Sequence, residues 1–224
     1  MNTLLTRLNS DLDELANVVR RNLVQVAAGR QGGGSGVIFS ADELVVTNAH
    51  VVSGKSGRGT LKEFQVTLPS GAVASATVLA KDDDIDVAVL RIAPYDGQHD
   101  GKLPNLHPIE LGDSKNLRQG QWVMAMGYPW GVAGAAAGGI VIGAGSDLPE
   151  GPGAGKDWVV LDLALRPVHS GGPLVDHQGR LVGMSTMMAG LEVGMAIPAH
   201  VIAEFVASVH TGGAAAGRAE AAVA

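Results

Sequence analysis

Short apolar runs rich in valine and isoleucine, separated by turn residues, fill most of the chain between residues 23 and 198. Runs of this length and composition are typical of β-strands. They form two series of about six, separated by a polar stretch that contains Pro94, Pro104 and Pro108. The pattern therefore predicts two small all-β units, either barrels or sandwiches, joined by a connection.

Two segments at the ends of the chain have helical instead of strand periodicity. Near the start, five apolar residues recur at spacings of three or four: Leu4, Leu8, Leu12, Leu15 and Val19. Near the end, Pro198 precedes a segment in which Val201, Ile202, Phe205, Val206 and Val209 share one face. Both patterns predict amphipathic helices, and the small-residue tail that follows the second is predicted to be disordered.

Composition narrows the class of protein further. The 224 residues carry a net charge of -6 without a basic stripe, which argues against a nucleic-acid partner. The chain has no cysteine, so disulfides, cysteine-bound zinc and a thiol nucleophile are excluded. No apolar stretch is long enough to span a bilayer or to act as a signal peptide, so a cytoplasmic location is expected unless the chain is trimmed.

Two glycine-rich segments have the composition of phosphate-binding loops but lack their motif. Gly32–Gly36 is not followed by the Lys-Ser/Thr pair of a P-loop, and Gly151–Asp157 has aspartate where that motif needs serine or threonine. Both segments are therefore predicted to be ordinary loops.

Candidate chemistry lies in three segments whose order matters. His50 ends the strand-like run VVTNAH, and Asp86 enters the apolar run DVAVLRI, where a carboxylate needs a partner. Ser170 belongs to HSGGPL, whose Gly171 and Gly172 predict a tight turn. A hydroxyl, a base and a carboxylate are the groups that nucleophilic catalysis requires, and the order His, Asp, Ser matches the chymotrypsin order.

These motifs resemble the trypsin-like serine proteases, specifically the HtrA/Deg family. The resemblance runs from about Gly34 to Phe205 and includes GSGVIFS, LVVTNAHVV, DIDVAVLRI, LGDSKNLRQGQWVMAMGYPWG, the serine loop and VGMAIPAHVI. It implies an all-β fold of two six-stranded antiparallel β-barrels. The implied organisation is an N-terminal helix at 1–22, a first barrel at 23–100, a connection at 101–112, a second barrel at 113–198, a C-terminal helix at 199–210 and a tail at 211–224.

The resemblance also assigns roles to individual residues. It makes Ser170 the nucleophile, His50 the general base and acid, and Asp86 the carboxylate that orients the histidine. The backbone N–H groups of Val168 and Ser170 fall at the oxyanion hole. Further positions that the resemblance places at the substrate are Leu165 beside the S1 pocket, Thr186 beside the aspartate, and Met187 and Met188 on the strand that pairs with substrate backbone.

The implied activity is endoproteolysis of unfolded polypeptides after small or medium aliphatic residues, through an acyl-enzyme and without a metal or organic cofactor. Family members form trimers through N-terminal segments, so a homo-oligomer is implied. The N-terminal helix lacks aromatic anchors, however, which leaves the oligomeric state open. Since only a short tail follows Phe205, the chain is expected to hold the protease domain without an appended PDZ domain.

One departure from the family pattern bears on activity. The family's serine loop usually reads Asn-Pro-Gly-Asn-Ser, whereas this chain has Arg166, Pro167, Val168, His169 and Ser170. Valine disfavours the positive φ available to glycine by about 1–2 kcal/mol, and losing one oxyanion donor costs about 10²–10³ in rate. The alternative to a serine endopeptidase is therefore a binding or scaffold protein that has the protease fold but little or no activity.

Overall fold

A computed structural model describes most of the chain. The described residues are 3–27, 33–53, 63–93, 106–146, 148, 155–190 and 192–210. Residues 101–105 of the predicted connection and the whole predicted tail at 211–224 lie outside these ranges.

The first six strands form one closed barrel. In chain order they are β1 (Leu23–Ala27), β2 (Gly33–Ser40), β3 (Leu44–Thr47), β4 (Phe64–Thr67), β5 (Val73–Asp82) and β6 (Val87–Ile92). Every neighbouring pair is antiparallel, and the order around the barrel is β1-β2-β3-β6-β5-β4.

The next six strands repeat this arrangement. They are β7 (Trp122–Gly127), β8 (Ala135–Gly145), β9 (Trp158–Asp162), β10 (Pro173–Val175), β11 (Leu181–Gly190) and β12 (Val193–Pro198). Their order, β7-β8-β9-β12-β11-β10, is that of the first barrel with each number raised by six. The prediction of two six-stranded antiparallel barrels is confirmed.

Three apolar clusters stabilise this fold. One fills the first barrel and includes Val45 and Leu90, and another fills the second barrel and includes Val141 and Leu161. The third is the largest and joins side chains from both barrels and from the terminal helices, Met184 among them. Because this third cluster lies between the barrels, it fixes the relative position of the loops that each barrel contributes to the candidate site.

Helices are short except at the two ends. Over the described residues they are α1 (Thr3–Arg20), α2 (Ala49–Val52) and α3 (Ala199–His210), and a 3-10 turn is formed at Pro129–Gly131. In α1 only Ala16 and Val19 are buried, while Leu4 and Leu8 are exposed, so the helix docks by its C-terminal half. The trimer that the resemblance implies stays a prediction. Of the helices described, none combines the length and the apolar character that a membrane crossing requires.

The prediction of a loop at Gly32–Gly36 is wrong for the part that is described. β2 begins at Gly33 and pairs with β1, with Gly33 opposite Ala27 and Gly36 opposite Val24. Glycine has low strand propensity, but the paired backbone of two neighbouring strands overrides it here. β2 also carries Ser35, a residue that contacts the candidate site.

Candidate active site

Three segments from different parts of the chain meet between the barrels. His50 lies in α2, directly after β3, and Asp86 lies in the turn between β5 and β6 of the first barrel. Ser170 lies in the loop between β9 and β10 of the second barrel. Asp86 therefore precedes its strand instead of entering it, because β6 begins at Val87.

The His50 and Asp86 side chains form a close pair. His50 Nδ1 is 2.9 Å from Asp86 Oδ2 and 3.0 Å from Oδ1, and the His50 backbone N–H donates to Oδ1 at 3.0 Å. Since a carboxylate only accepts, Nδ1 carries the hydrogen and Nε2 is left as a proton acceptor. The imidazole is half exposed, whereas the carboxylate is mostly buried, so the free nitrogen is accessible to solvent.

Asp86 is held in its ionised form by several donors. Burial alone would raise its pKa, but the hydrogen bonds from His50 and Thr186 outweigh that effect, and the pKa of Asp86 is lowered from its ordinary value. The Thr186 hydroxyl donates to Oδ2 at 2.6 Å from β11 of the other barrel. Asp86 has a φ of 55°, a left-handed conformation that aspartate adopts more readily than most residues.

Ser170 is linked to this pair through Thr186, whose hydroxyl bonds Asp86. Ser170 Oγ donates to the Thr186 carbonyl oxygen at 2.8 Å. No hydrogen bond between Ser170 Oγ and His50 Nε2 exists in the part of the chain that the structure describes. The hydroxyl must therefore leave the Thr186 carbonyl before its proton can pass to the imidazole.

The four residues before Ser170 form a type II turn with valine at the position that favours glycine. Arg166 and His169 close the turn through the His169 N–H, which donates to the Arg166 carbonyl at 3.1 Å. Pro167 is its second residue and Val168, with a φ of 75°, its third. Valine therefore adopts the conformation that the sequence predicted it to disfavour. Within the described ranges the amides of Val168 and Ser170 donate to no acceptor, as an open oxyanion hole requires.

Two glycines after Ser170 let the loop lie against other backbone. A Cβ on Gly171, which has a φ of 83°, would be 2.1 Å from the Ser35 carbonyl oxygen. A Cβ on Gly172 would be 2.0 Å from the Met126 carbonyl oxygen. Real Cβ atoms do not approach oxygen so closely, so the loop can reach this position only with glycine at both sites.

Ser35 has no signal in the sequence that would single it out, yet it contacts this loop directly. Its backbone N–H donates to the Ser170 carbonyl at 2.8 Å, and its hydroxyl donates to the Val168 carbonyl at 2.6 Å. The hydroxyl also accepts the Tyr128 N–H at 3.0 Å. Ser35 is fully buried and 133 positions from Val168, so only the folded chain brings the two together.

Among the residues predicted to contact substrate, Leu165 and Met188 contact each other. Leu165 is half-buried and donates its N–H to the Met188 sulfur at 3.2 Å. Its side chain also faces Gly194 in β12, where a Cβ would be 3.2 Å from Leu165 Cγ. Met187 and Met188 are exposed on β11, immediately after the buried Thr186. These residues make an apolar surface without a charged group.

His169 is buried between the loop and β7. It is 1% exposed, its Nδ1 accepts the Arg166 N–H at 3.0 Å, and its Nε2 has no hydrogen-bond partner in the structure. Burial lowers the pKa of His169 from its ordinary value, although the Arg166 and Ala135 backbone acts in the opposite direction. The imidazole is therefore neutral in the folded protein near neutral pH.

We expect His169 to make the protein less stable in acid. The unfolded chain binds a proton at about pH 6.5, whereas the folded chain binds it only at lower pH. The stability that neutral His169 provides is thus complete above about pH 6.5 and is lost as the pH falls through the folded-state pKa. In thermal unfolding of the Ser170→Ala protein, which removes autolysis, the melting temperature should fall more steeply between pH 7 and pH 5 than after a further His169→Asn change.

The same histidine-to-asparagine change at His177, which is exposed in the β10–β11 turn, is the matched control. The His177→Asn protein should keep the parent's pH dependence. Equal slopes for the parent and the His169→Asn protein would contradict the assignment of the acid sensitivity to His169.

A second serine, histidine and aspartate also lie together, but they stabilise a helix. Ser114 Oγ is 2.8 Å from His200 Nδ1, and His200 Nε2 is 3.1 Å from Asp157 Oδ2. The Ser114 hydroxyl is buried and accepts the His200 backbone N–H at 2.9 Å, so it caps the start of α3. Over the described residues, no three His, Asp or Glu side chains converge as they would around a metal ion.

Comparison with known proteins places the chain among peptidases. The sequence model of the trypsin-like peptidase domain matches residues 34–184. Mitochondrial serine protease HTRA2 of Bos taurus is 38% identical over 175 residues, which are 77% of this chain and 35% of the relative. A probable periplasmic DegP-like serine endoprotease of Bartonella henselae is 35% identical over 171 residues, 74% of this chain and 31% of the relative.

Solved structures agree with the sequence matches. The HtrA-type protease AlgW S227A with a tripeptide superposes with a TM-score of 0.76 at 28% identity, covering 90% of this chain and 64% of that chain. AlgW with a decapeptide gives a TM-score of 0.71 at 27% identity, covering 89% of this chain and 68% of that chain. The chain spans about a third of the length of these two curated relatives.

Proposed function

Because the chain belongs to the trypsin-like peptidase family, in its HtrA/Deg branch, we propose that it is a serine endopeptidase that cleaves unfolded polypeptides through an acyl-enzyme. The observation that carries this proposal is the His50–Asp86 pair, with Nδ1 bonded to the carboxylate at 2.9 Å and Nε2 free, next to Ser170. A general base that has its proton-accepting nitrogen exposed beside a hydroxyl is the arrangement that acyl transfer needs.

The proposed reaction begins when Ser170 Oγ leaves the Thr186 carbonyl and attacks the carbonyl carbon of the scissile peptide bond. His50 Nε2 takes the hydroxyl proton and then gives it to the departing amine, which leaves an acyl ester on Ser170. Water, deprotonated by His50, hydrolyses that ester and restores the serine. Asp86 stays ionised throughout and stabilises the imidazolium that forms twice in each cycle.

The developing oxyanion would be bound by the N–H groups of Val168 and Ser170. Two observations support this role: Val168 has the positive φ of a type II turn, and neither amide donates to another described group. Hydrogen-bond donors that are already oriented stabilise the tetrahedral intermediate without reorganisation. These observations favour an enzyme over the binding or scaffold protein that the valine had suggested.

We propose a preference for small or medium aliphatic side chains at P1. The apolar contact of Leu165, Met188 and Gly194 supports this preference, because these three residues carry no charge that could pair with a basic P1 residue.

Digestion of denatured casein, with the new termini sequenced by mass spectrometry, tests this preference. We expect most cleavages to follow Ala, Val, Leu, Ile or Met, and none of them to occur with the Ser170→Ala protein. Cleavage mainly after Lys, Arg or aromatic residues would contradict the proposed pocket. The absence of any Ser170-dependent product would instead support the binding or scaffold alternative.

A further inference from the structure

The backbone N–H and the hydroxyl of Ser35 join the first barrel to the serine loop. Its N–H donates to the Ser170 carbonyl at 2.8 Å, and its hydroxyl donates to the Val168 carbonyl at 2.6 Å. Its own carbonyl accepts the Thr47 hydroxyl at 2.7 Å, and its Oγ accepts the Tyr128 N–H at 3.0 Å. The side chain is thus locked in one orientation, with its hydroxyl hydrogen directed at Val168.

The Val168 and Ser170 carbonyls belong to the part of the serine loop that carries the proposed oxyanion donors. The bond to the Val168 carbonyl restrains the plane of the Val168–His169 peptide, and the bond to the Ser170 carbonyl restrains the peptide plane that follows the nucleophile. The Ser170 amide belongs to the peptide group between these two planes, and the Val168 amide is separated from the first plane by the φ and ψ torsions of Val168. Ser35 therefore limits the orientation of both proposed oxyanion donors.

This control matters more with valine than it would with glycine at position 168. Glycine adopts positive φ without penalty, whereas valine at a φ of 75° is opposed by its own Cβ substituents. Something outside the turn must then offset that penalty. Ser35 belongs to the other barrel, and its hydroxyl bonds the strained residue itself.

We propose that Ser35 is a positioning residue that holds Val168 in its left-handed conformation and so keeps the oxyanion hole open. This inference rests on the proposed function, because it concerns the rate of the same reaction. If Ser35 has this role, the loss of kcat on removal of its hydroxyl should depend on the residue at position 168. A hydroxyl that merely stabilised the fold would be equally important in either background.

The test is a double-mutant cycle with Ser35→Ala and Val168→Gly. Ser35→Ala leaves the buried Val168 carbonyl without its donor, so kcat on a quenched peptide should fall about 10- to 100-fold, with KM changed less than about threefold. Val168→Gly alone keeps the backbone donor and removes the conformational penalty, so its kcat should exceed that of the parent. In the Val168→Gly background, Ser35→Ala should lower kcat by less than about threefold. Equal losses in both backgrounds, or no loss in either, would overturn the proposal.

Ser185→Ala is the matched control for loss of a buried serine hydroxyl. Ser185 is as fully buried as Ser35, but its Oγ has no hydrogen-bond partner in the structure. Its replacement should leave kcat within about twofold of the parent. A loss as large as that of Ser35→Ala would mean that any hydroxyl removed nearby disturbs the loop, which would also overturn the proposal.

Hydrogen–deuterium exchange separates a failure of this inference from a failure of the proposed function. The His169, Gly171 and Gly172 amides donate to backbone carbonyls and are expected to exchange slowly. Ser35→Ala should accelerate their exchange with valine at position 168, but not in the Val168→Gly background. This readout needs no catalysis: a chain without activity would contradict the proposed function, while the exchange pattern would still decide the role of Ser35.

Discussion

Replacing Asp86 with asparagine should lower kcat by about 10⁴-fold while leaving the fold intact. The carboxylate accepts hydrogen bonds from His50 Nδ1, the His50 backbone N–H and the Thr186 hydroxyl. An amide has one oxygen and one donor group, so it cannot accept all three. Turning its NH₂ toward Nδ1 would favour the tautomer protonated at Nε2, which cannot take the proton from Ser170.

The measurement is kcat on a quenched peptide at neutral pH, where the lowered pKa of Asp86 keeps the parent carboxylate ionised. Asp84→Asn is the matched control, because Asp84 is exposed and lies only two residues earlier in the same turn. That change should alter kcat by less than twofold. A loss below about tenfold for Asp86→Asn would mean that the carboxylate does not orient the base.

Ser170→Ala should cause the larger loss, about 10⁶-fold in kcat. In the proposed reaction the acyl group is carried by Ser170 Oγ, and alanine has no atom that can replace it. The cost to stability should be small, about 1 kcal/mol, because the hydroxyl makes one hydrogen bond, to the Thr186 carbonyl. A protein that melts near the parent's temperature but no longer cleaves casein is the expected result.

Residual activity of more than about one part in a hundred, with contaminating proteases excluded, would contradict the role of Ser170 as nucleophile. The rotamer of Ser170 gives a second readout. Since its hydroxyl faces Thr186 in the resting protein, a peptide bound in the site should move Oγ toward His50 Nε2 to within about 3 Å. A complex in which Oγ stays on Thr186 would show a non-productive site.

The barrels could be predicted from the chain because each strand has its own local signal. Runs such as VAVLRI and LVVT have the β-branched composition of strands, and the turns between them carry glycine, proline or aspartate. Six runs in each half were enough to predict the two units. The closure of each sheet depends on contacts between strands distant in sequence, such as β1 with β4, and only the resemblance could supply it.

The candidate site residues could be predicted from residue type and chain order, but their arrangement in space could not. His50 and Asp86 are separated by 36 positions, and no periodicity relates them. Their pairing follows from the register of β3 and β6, in which Thr47 lies opposite Ala88 and so brings the residues after β3 close to those before β6. The resting contact of Ser170 with Thr186 is likewise a rotamer choice that sequence does not encode locally.

Val168 and Ser35 show why the rest of the site was beyond prediction from the chain. The cost of valine at positive φ could be stated from its side chain alone, but the groups that offset this cost lie far away. Ser35 is one hydroxyl in a glycine-rich run, and its link to Val168 spans 133 positions. The strain at Val168 could be deduced from that residue alone, whereas the contact that offsets it forms only in the folded barrels.

Covalent labelling with a fluorophosphonate probe tests the central claim most directly, because the probe reacts only with a serine activated by its base. We predict one adduct per chain, mapped by mass spectrometry to Ser170, which is abolished by Ser170→Ala and slowed by Asp86→Asn. Denatured casein should protect against labelling by competing for the site. Labelling that persists in Ser170→Ala, or no labelling of the parent with or without denatured substrate, would contradict the account.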